Sequence, residues 1–343
     1  MTRGIFKKTS HSETRLPTRR REQERYNHRK ALLESFIHLF TPIVRTHKRM
    51  DDEQKNPEAE YQDDELCETA NVAYRNPNAK PRFNIVYENG PTLVVNKQPG
   101  VLTQAPLGVD SIEARVKEFM NLRDERRGKR YLGLPHRLDR PASGLLVFAK
   151  HVRAARRLSD QFQERSVTKK YWALVSGIVK EDAGEWRDYM RKIPGRAEAE
   201  IISPIKPDAR EAILHFRVVE RFNSFTWLEI ELETGRTHQI RLQCSTRGFP
   251  LLGDELYGSQ VPFGPQYEDG RERAIALHSR EMTFVDFVSK TRVTLIAPLY
   301  SPWKDWIRPE NEEFVEETFL KPEPFVTGIF GEDADVSGKS EDL

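Results

Sequence analysis

The stretch HRLDRPASG, His136–Gly144, sets Asp139 between Arg137 and Arg140 directly ahead of the apolar run LLVFAK. A carboxylate at the edge of a buried strand must find a partner or neutralise. One held ionised by arginine is suited to act as a nucleophile or a base. The plainer alternative is a surface ion pair with Arg137 or Arg140. A second dense group is ETGRTHQIRLQ, Glu233–Gln243. There Gly235 closes a strand, Thr237 is placed as an N-cap, and Arg241 falls about one turn into the following helix. A third is VTKKYWALVSG, where Tyr171 opens a strand behind Lys169 and Lys170. Its ring is either core packing or, beside a catalytic carboxylate, a surface on which a base could stack and through which a proton could move.

Two other chemistries draw on the same residues. His136 and Asp139 with His238 or His278 could ligate zinc or iron, but HExxH and CxxC spacings are missing and the neighbouring arginines repel a cation, so no metal is expected. A retaining glycosidase needs a second carboxylate about 5 Å from the first. Glu233 and Asp254 are the candidates, and both are more economically turn or pairing residues.

Positioning these groups calls for a sheet. NIVYENGPTLVVNKQPG carries two short β-rich runs about an Asn89-Gly90 turn signal. DSIEARVKEFMNL predicts a helix with Asp110 and Glu113 as a capping box and Ile112, Val116, Phe119 and Met120 on one stripe. SGLLVFAK reads as a buried strand, and RAARRLSDQF as a helix with Ala155, Leu158 and Phe162 inward. KKYWALVSGIV, ILHFRVVERF and FTWLEIELE read as strands, the last alternating Trp227, Glu229 and Glu231 against Leu228, Ile230 and Leu232. Strands outnumber helices and short turns join them, which predicts an α+β fold with a largely antiparallel mixed sheet flanked by helices and loops.

The chain of 343 residues is 31% charged, and its formal net charge of +2 hides segregation. Residues 1–50 carry 13 Lys and Arg against 4 Asp and Glu, residues 51–70 carry 1 against 9, and residues 309–343 carry 2 against 11. The stretch between is net basic, compatible with a polyanionic partner. These shifts divide the chain into a basic then acidic N-terminal extension (1–80) with one helix around Arg29–Leu39, a central domain (81–308) and an acidic tail (309–343). The longest apolar stretch is broken by Glu34, His38 and Pro42, so no membrane span is expected. Two separated cysteines and no secretory apolar segment point to the cytoplasm, with the Arg-rich start leaving organelle targeting as the alternative.

In this order the three motifs resemble the RluA family of pseudouridine synthases. HRLDRPASG resembles its HRLDxxxSG segment, KKYWALVSG its KxYxAxVxG strand, and ETGRTHQIRLQ with RGFPLLGDELYG its TGRxHQIR block; IVYENGPTLVVNKQPGVLT and IALHSREMTF resemble its opening hairpin and a later strand. The likeness runs from Phe83 to Ile307. Pro141-Ala142 depart from the family's usual polar residue and Thr, and Gln243 from its usual His, which bears on substrate detail.

The resemblance implies isomerisation of uridine to pseudouridine in rRNA or tRNA by a monomer that needs no cofactor and no metal. Asp139 would start glycosidic cleavage on a flipped nucleotide, Tyr171 would stack on the base and help take the proton from its carbon 5, and Arg241 would pair with Asp139. Arg137 would fill the vacated place in the RNA, with His136, Arg140, Lys169, Lys170, Arg236, His238 and Gln239 as further RNA contacts.

Overall fold

A computed structural model describes residues 81–309 and 314–315. The N-terminal extension, its expected helix and most of the acidic tail lie outside the described residues.

The chain enters through a hairpin, β1 (Asn84–Asn89) and β2 (Thr92–Lys97). Asn89 pairs with Thr92, so the two-residue turn is Gly90-Pro91, one position later than the Asn-Gly signal suggested. Gly90 supplies the positive φ of +50° that such a turn needs at its first position. Helix α1 (Ile112–Arg123) follows, with Ile112, Val116, Phe119 and Met120 buried as their spacing predicts. Its N-cap is Ser111, whose hydroxyl accepts from the Ala114 amide at 3.2 Å. The expected cap, Asp110, instead grips Arg115, and Glu113 pairs with Lys117 one turn on.

β3 (Ser143–Ala149) and helix α2 (Val152–Gln163) lie where the apolar runs placed them. They are followed by β4 (Thr168–Ser176), β5 (Ala183–Lys192), β6 (Ala199–Ile201), β7 (Arg210–Arg221), β8 (Phe225–Leu232), helix α3 (Gln239–Thr246), β9 (Leu277–Val285) and β10 (Arg292–Ile296). Two short strands, β11 (Leu299–Tyr300) and β12 (Phe314–Val315), pair separately. The main sheet has ten strands in the order β1-β2-β3-β9-β4-β8-β7-β5-β6, with β10 on β9. All its described pairings are antiparallel except β3 with β9. The structure is therefore the α+β, largely antiparallel arrangement expected.

Strand alternation loads both faces of the sheet's centre. Leu146 and Phe148 of β3, Tyr171 and Ala173 of β4 and Leu228 and Ile230 of β8 join α1 and α3 in the largest cluster. Leu145 and Val147 turn the other way onto Ala154 and Leu158 of α2. Trp227, expected on a polar face with Glu229 and Glu231, is buried with Leu174, Leu252 and Trp303 in a third cluster. Its strand is covered there by the chain after β11, which the period-2 pattern could not register. Each fully buried aliphatic side chain contributes roughly 1.5–3 kcal/mol by burial.

The parallel contact of β3 and β9 depends on one residue. Gly144 has φ +110°, and a Cβ there would lie 2.4 Å from the backbone N and O of Ser279. Only glycine permits both the conformation and the approach.

Candidate active site

The loop His136–Ala142 leads into β3 and is held against residues 97–103. The Arg140 carbonyl accepts from the Gly100 amide at 2.9 Å and from the Lys97 ammonium at 3.2 Å. Arg140 returns its Nε to the Gly100 carbonyl at 2.8 Å. Thr103 donates its hydroxyl to the Leu138 carbonyl at 2.7 Å and accepts from the Leu138 amide at 3.2 Å. Leu138 is buried in the main core, so the two residues on either side of Asp139 are both fixed.

Asp139 stands on the wall of a cleft of about 550 Å³ with Tyr171, Ile240, Arg241 and Leu277. The nearest side-chain nitrogens are Nη1 of Arg241 at 3.6 Å and Nε2 of His238 at 3.8 Å. Both distances exceed hydrogen-bond length. The carboxylate feels positive charge, yet among the described residues no side chain grips its oxygens.

Arg241 is locked elsewhere. Its Nε and Nη2 donate to the two oxygens of Asp254 at 2.7 Å each, both side chains being buried. Burial works against its charge, but the hydrogen bonds and charge of Asp254, with Asp139 behind them, outweigh it and raise the Arg241 pKa. The expected pairing of Arg241 with Asp139 is thus a charge contact, and the bidentate partner is Asp254. Asp254, weighed above as a glycosidase acid or a turn residue, is committed to this guanidinium. It lies in GDELYG, in the block that follows ETGRTHQIRLQ, whose signal was present without its partner.

α3 does not begin at Thr237. Its N-cap position is His238, in the left-handed region at φ +53° and without a side-chain cap bond. The turn is closed instead by Gln239, whose Oε1 accepts from the Arg236 amide at 3.0 Å and the Thr234 hydroxyl at 2.8 Å, while Nε2 donates to the Ile213 carbonyl at 3.0 Å. Gln239, expected to touch RNA, is buried and turned inward. The strained His238 brings its ring beside Asp139, with Nδ1 2.9 Å from the Tyr257 hydroxyl. Burial lowers the His238 pKa, Asp139 opposing and Arg241 adding to the effect.

Tyr171 lies in the same cleft as Asp139. Burial, opposed by Ser279 and helped by the Asp139 charge, pushes its phenol up to about 12, so it is protonated at neutral pH. Arg137 is exposed at the rim, and Lys169, Arg165 and Arg236 also line the cleft.

Several of the expected RNA contacts are engaged by the protein itself, His136 among them although it lines the cleft. His136 accepts from the Val147 amide at 3.0 Å and stacks on Phe162 at 4.6 Å. Burial, with Lys169 nearby, drives its pKa down to about 3, so it is a neutral part of the frame. Lys170 points to the sheet face opposite Lys169 and Tyr171 and pairs with Glu281 at 2.9 Å. Gln243 is fully buried and donates to Asp188 at 2.7 Å, so its departure from the family pattern tunes the joint between α3 and β5. His278 lies 2.8 Å from the Ser143 hydroxyl in the core.

The sequence profile described as RNA pseudouridylate synthase matches residues 91–246. An uncharacterised RNA pseudouridine synthase of Synechocystis is 32% identical over 223 residues, which cover 63% of this chain and 65% of that protein. Ribosomal large subunit pseudouridine synthase D of Pasteurella multocida is 31% identical over 243 residues, 68% of this chain and 69% of the relative. The solved structure of human RNA pseudouridylate synthase domain containing 1 superposes with a TM-score of 0.50 at 26% identity, covering 63% of this chain and 83% of the human one. This chain thus spans slightly less than two thirds of the Synechocystis relative. Fold and cleft together define a pseudouridine synthase domain. The chain belongs to the RluA family of RNA pseudouridine synthases.

Proposed function

We propose that the protein isomerises uridine to pseudouridine in a structured RNA, with Asp139 starting the reaction and the domain running over residues 81–308. The observation that carries this is the state of Asp139: a carboxylate at the wall of a basic cleft, 3.6 Å from an arginine that is itself tied to Asp254. Such a group has its oxygens turned to the cleft and available to a substrate.

The substrate uridine must leave its stack, at a cost of a few kcal/mol, to bring its ribose to Asp139 in the cleft. Exposed Arg137 at the rim is placed to occupy the gap left in the RNA. Asp139 then attacks carbon 1′ of the ribose or removes its 2′ proton, and the bond from carbon 1′ to nitrogen 1 breaks. The detached uracil turns, and carbon 5 bonds to carbon 1′ as the Asp139 carboxylate leaves that carbon or, on the other route, as the proton it took returns to carbon 2′; the proton on carbon 5 then departs and nitrogen 1 ends protonated. Tyr171 lies against the base and assists the loss of the carbon 5 proton. Substrate and product are isomers, so the balance calls for no oxidant and no second reactant. The apolar side chains Leu138, Ala142, Ile240 and Leu277 keep water from intercepting the open sugar.

Because several relatives carry names that specify the large ribosomal subunit, large-subunit ribosomal RNA is the first substrate to try and tRNA the second. The test is RNA labelled with tritium at uracil carbon 5. The wild type is expected to release tritium and Asp139→Ala to release none; equal release by both would remove Asp139 from the mechanism.

A further inference from the structure

Lys169 lies one strand alternation before Tyr171, so the two side chains share a face of β4, their Cα atoms about 7 Å apart by strand geometry. It lines the cleft, and it has no hydrogen bond and no ion pair among the described residues. Its neighbours make that costly. Arg165 and Arg236 line the same cleft, and Glu233, also on its lining, is engaged by Arg165 at 2.9 Å. Arg236 gives its Nε to the Glu211 carbonyl at 2.8 Å and remains exposed. Burial and the Arg165 charge lower the pKa of Lys169, and burial with Arg165 and Arg210 lowers that of Arg236. A half-buried ammonium among cations is unstable unless something anionic arrives.

Gly235 marks the place. It is exposed and is not among the glycines with a positive φ, so its backbone conformation does not call for glycine. A Cβ there would meet one atom within 4 Å, the Lys169 Nζ at 4.0 Å. The missing side chain keeps open the approach to that ammonium.

We propose that Lys169, Arg236 and the bare Cα of Gly235 form a seat for a single phosphate of the RNA, that of the nucleotide whose base lies against Tyr171. This rests on the RNA-modifying function proposed above and adds which phosphate is read and by what. Lys169 and Tyr171 both line the cleft from the same face of β4, so an anion at the ammonium and a base against the ring lie side by side there. The seat therefore sets the depth at which a flipped uridine stops, with its ribose beside Asp139.

The test uses the full chain and uridine pentanucleotides, one with every phosphate intact and others with one phosphate at a time made neutral as methylphosphonate. Binding is followed by fluorescence anisotropy over a range of salt. One replacement should weaken binding to the wild type about tenfold, as loss of one charge-assisted contact would. Lys169→Gln should bind the intact pentamer correspondingly weakly, be indifferent to that replacement, and show a salt slope shallower by about 0.7. Without RNA the same variant should melt above the wild type, because an unpaired cation has been removed; a lysine with a purely structural role would lower the melting temperature. Equal sensitivity at every phosphate, equal sensitivity of wild type and variant, or no binding of the pentamer by the wild type would each overturn the seat. Tritium release reads the reaction separately: release by the wild type without phosphate-position dependence removes the seat and leaves the reaction, and the converse leaves the seat and removes the reaction.

Discussion

Arg241 and Asp254 meet through two parallel hydrogen bonds of 2.7 Å, and the nitrogen left over faces Asp139 at 3.6 Å. Asp254 decides where that guanidinium points. Without it, Arg241 would be free to close on Asp139 and occupy the oxygens that the reaction needs. Asp254→Ala also strands a buried cation, which costs about 3–5 kcal/mol. Asp254→Asn keeps the shape and is the cleaner test. It should fold, with a smaller loss in urea midpoint, and release tritium from labelled RNA far more slowly. Wild-type turnover in Asp254→Asn would show that the Arg241 orientation does not matter.

Arg137 presents the opposite case. It is exposed and has no described partner, so Arg137→Ala should leave stability within about 0.5 kcal/mol of wild type. RNA binding and turnover should both fall if this side chain enters the RNA. A variant that unfolds early would mean that Arg137 has a structural partner, and unchanged turnover would remove it from the flipping step.

The main elements and the Asp139 loop were legible because their signals are local. An apolar run after a charged loop marks β3, and the stripe of Ile112, Val116, Phe119 and Met120 marks α1. What could not be read depends on where distant groups end up. His136 resembles an RNA contact in sequence, but its acceptor nitrogen belongs to Val147 and its ring to Phe162. Thr237 has the chemistry of a cap, yet Gln239 closes the same turn from inside with a stronger set of partners. Asp254 stood in plain view without its role, since nothing local says that its carboxylate meets Arg241 across the cleft wall. Lys170 was avoidable: strand alternation alone separates it from Lys169 and Tyr171.

Tyr171 gives a test in which packing and chemistry separate. Tyr171→Phe keeps the buried ring and removes a hydroxyl that burial holds protonated up to about pH 12. Folding and RNA binding should survive, while tritium release slows by about 100-fold or more, the ordinary range for a lost proton-transfer group. Lost binding with normal release would mean that the hydroxyl serves recognition only.

Lys97 ties the Asp139 loop to the core and titrates in a way that can be followed. Its ammonium is fully buried and donates to the carbonyls of Gln98 and Val101 at 2.9 Å each and of Arg140 at 3.2 Å. Burial, against the pull of Asp139, draws its pKa from 10.5 down to about 7. Between those two values the unfolded chain holds a proton that the folded chain has shed. The contribution of Lys97 to stability therefore rises with pH across that window and is flat below about 7, where both states are protonated. Lys97→Met should remove this rise, so urea midpoints measured through the window would climb more steeply for the wild type than for the variant. Any slope from Lys169 persists in both proteins and cancels in the comparison. The variant should also turn over slowly at every pH, because the Arg140 carbonyl loses one of its two anchors and Asp139 stands next to it. Parallel stability curves would show that Lys97 does not shed its proton in the folded state, and wild-type turnover would show that the loop is held without it.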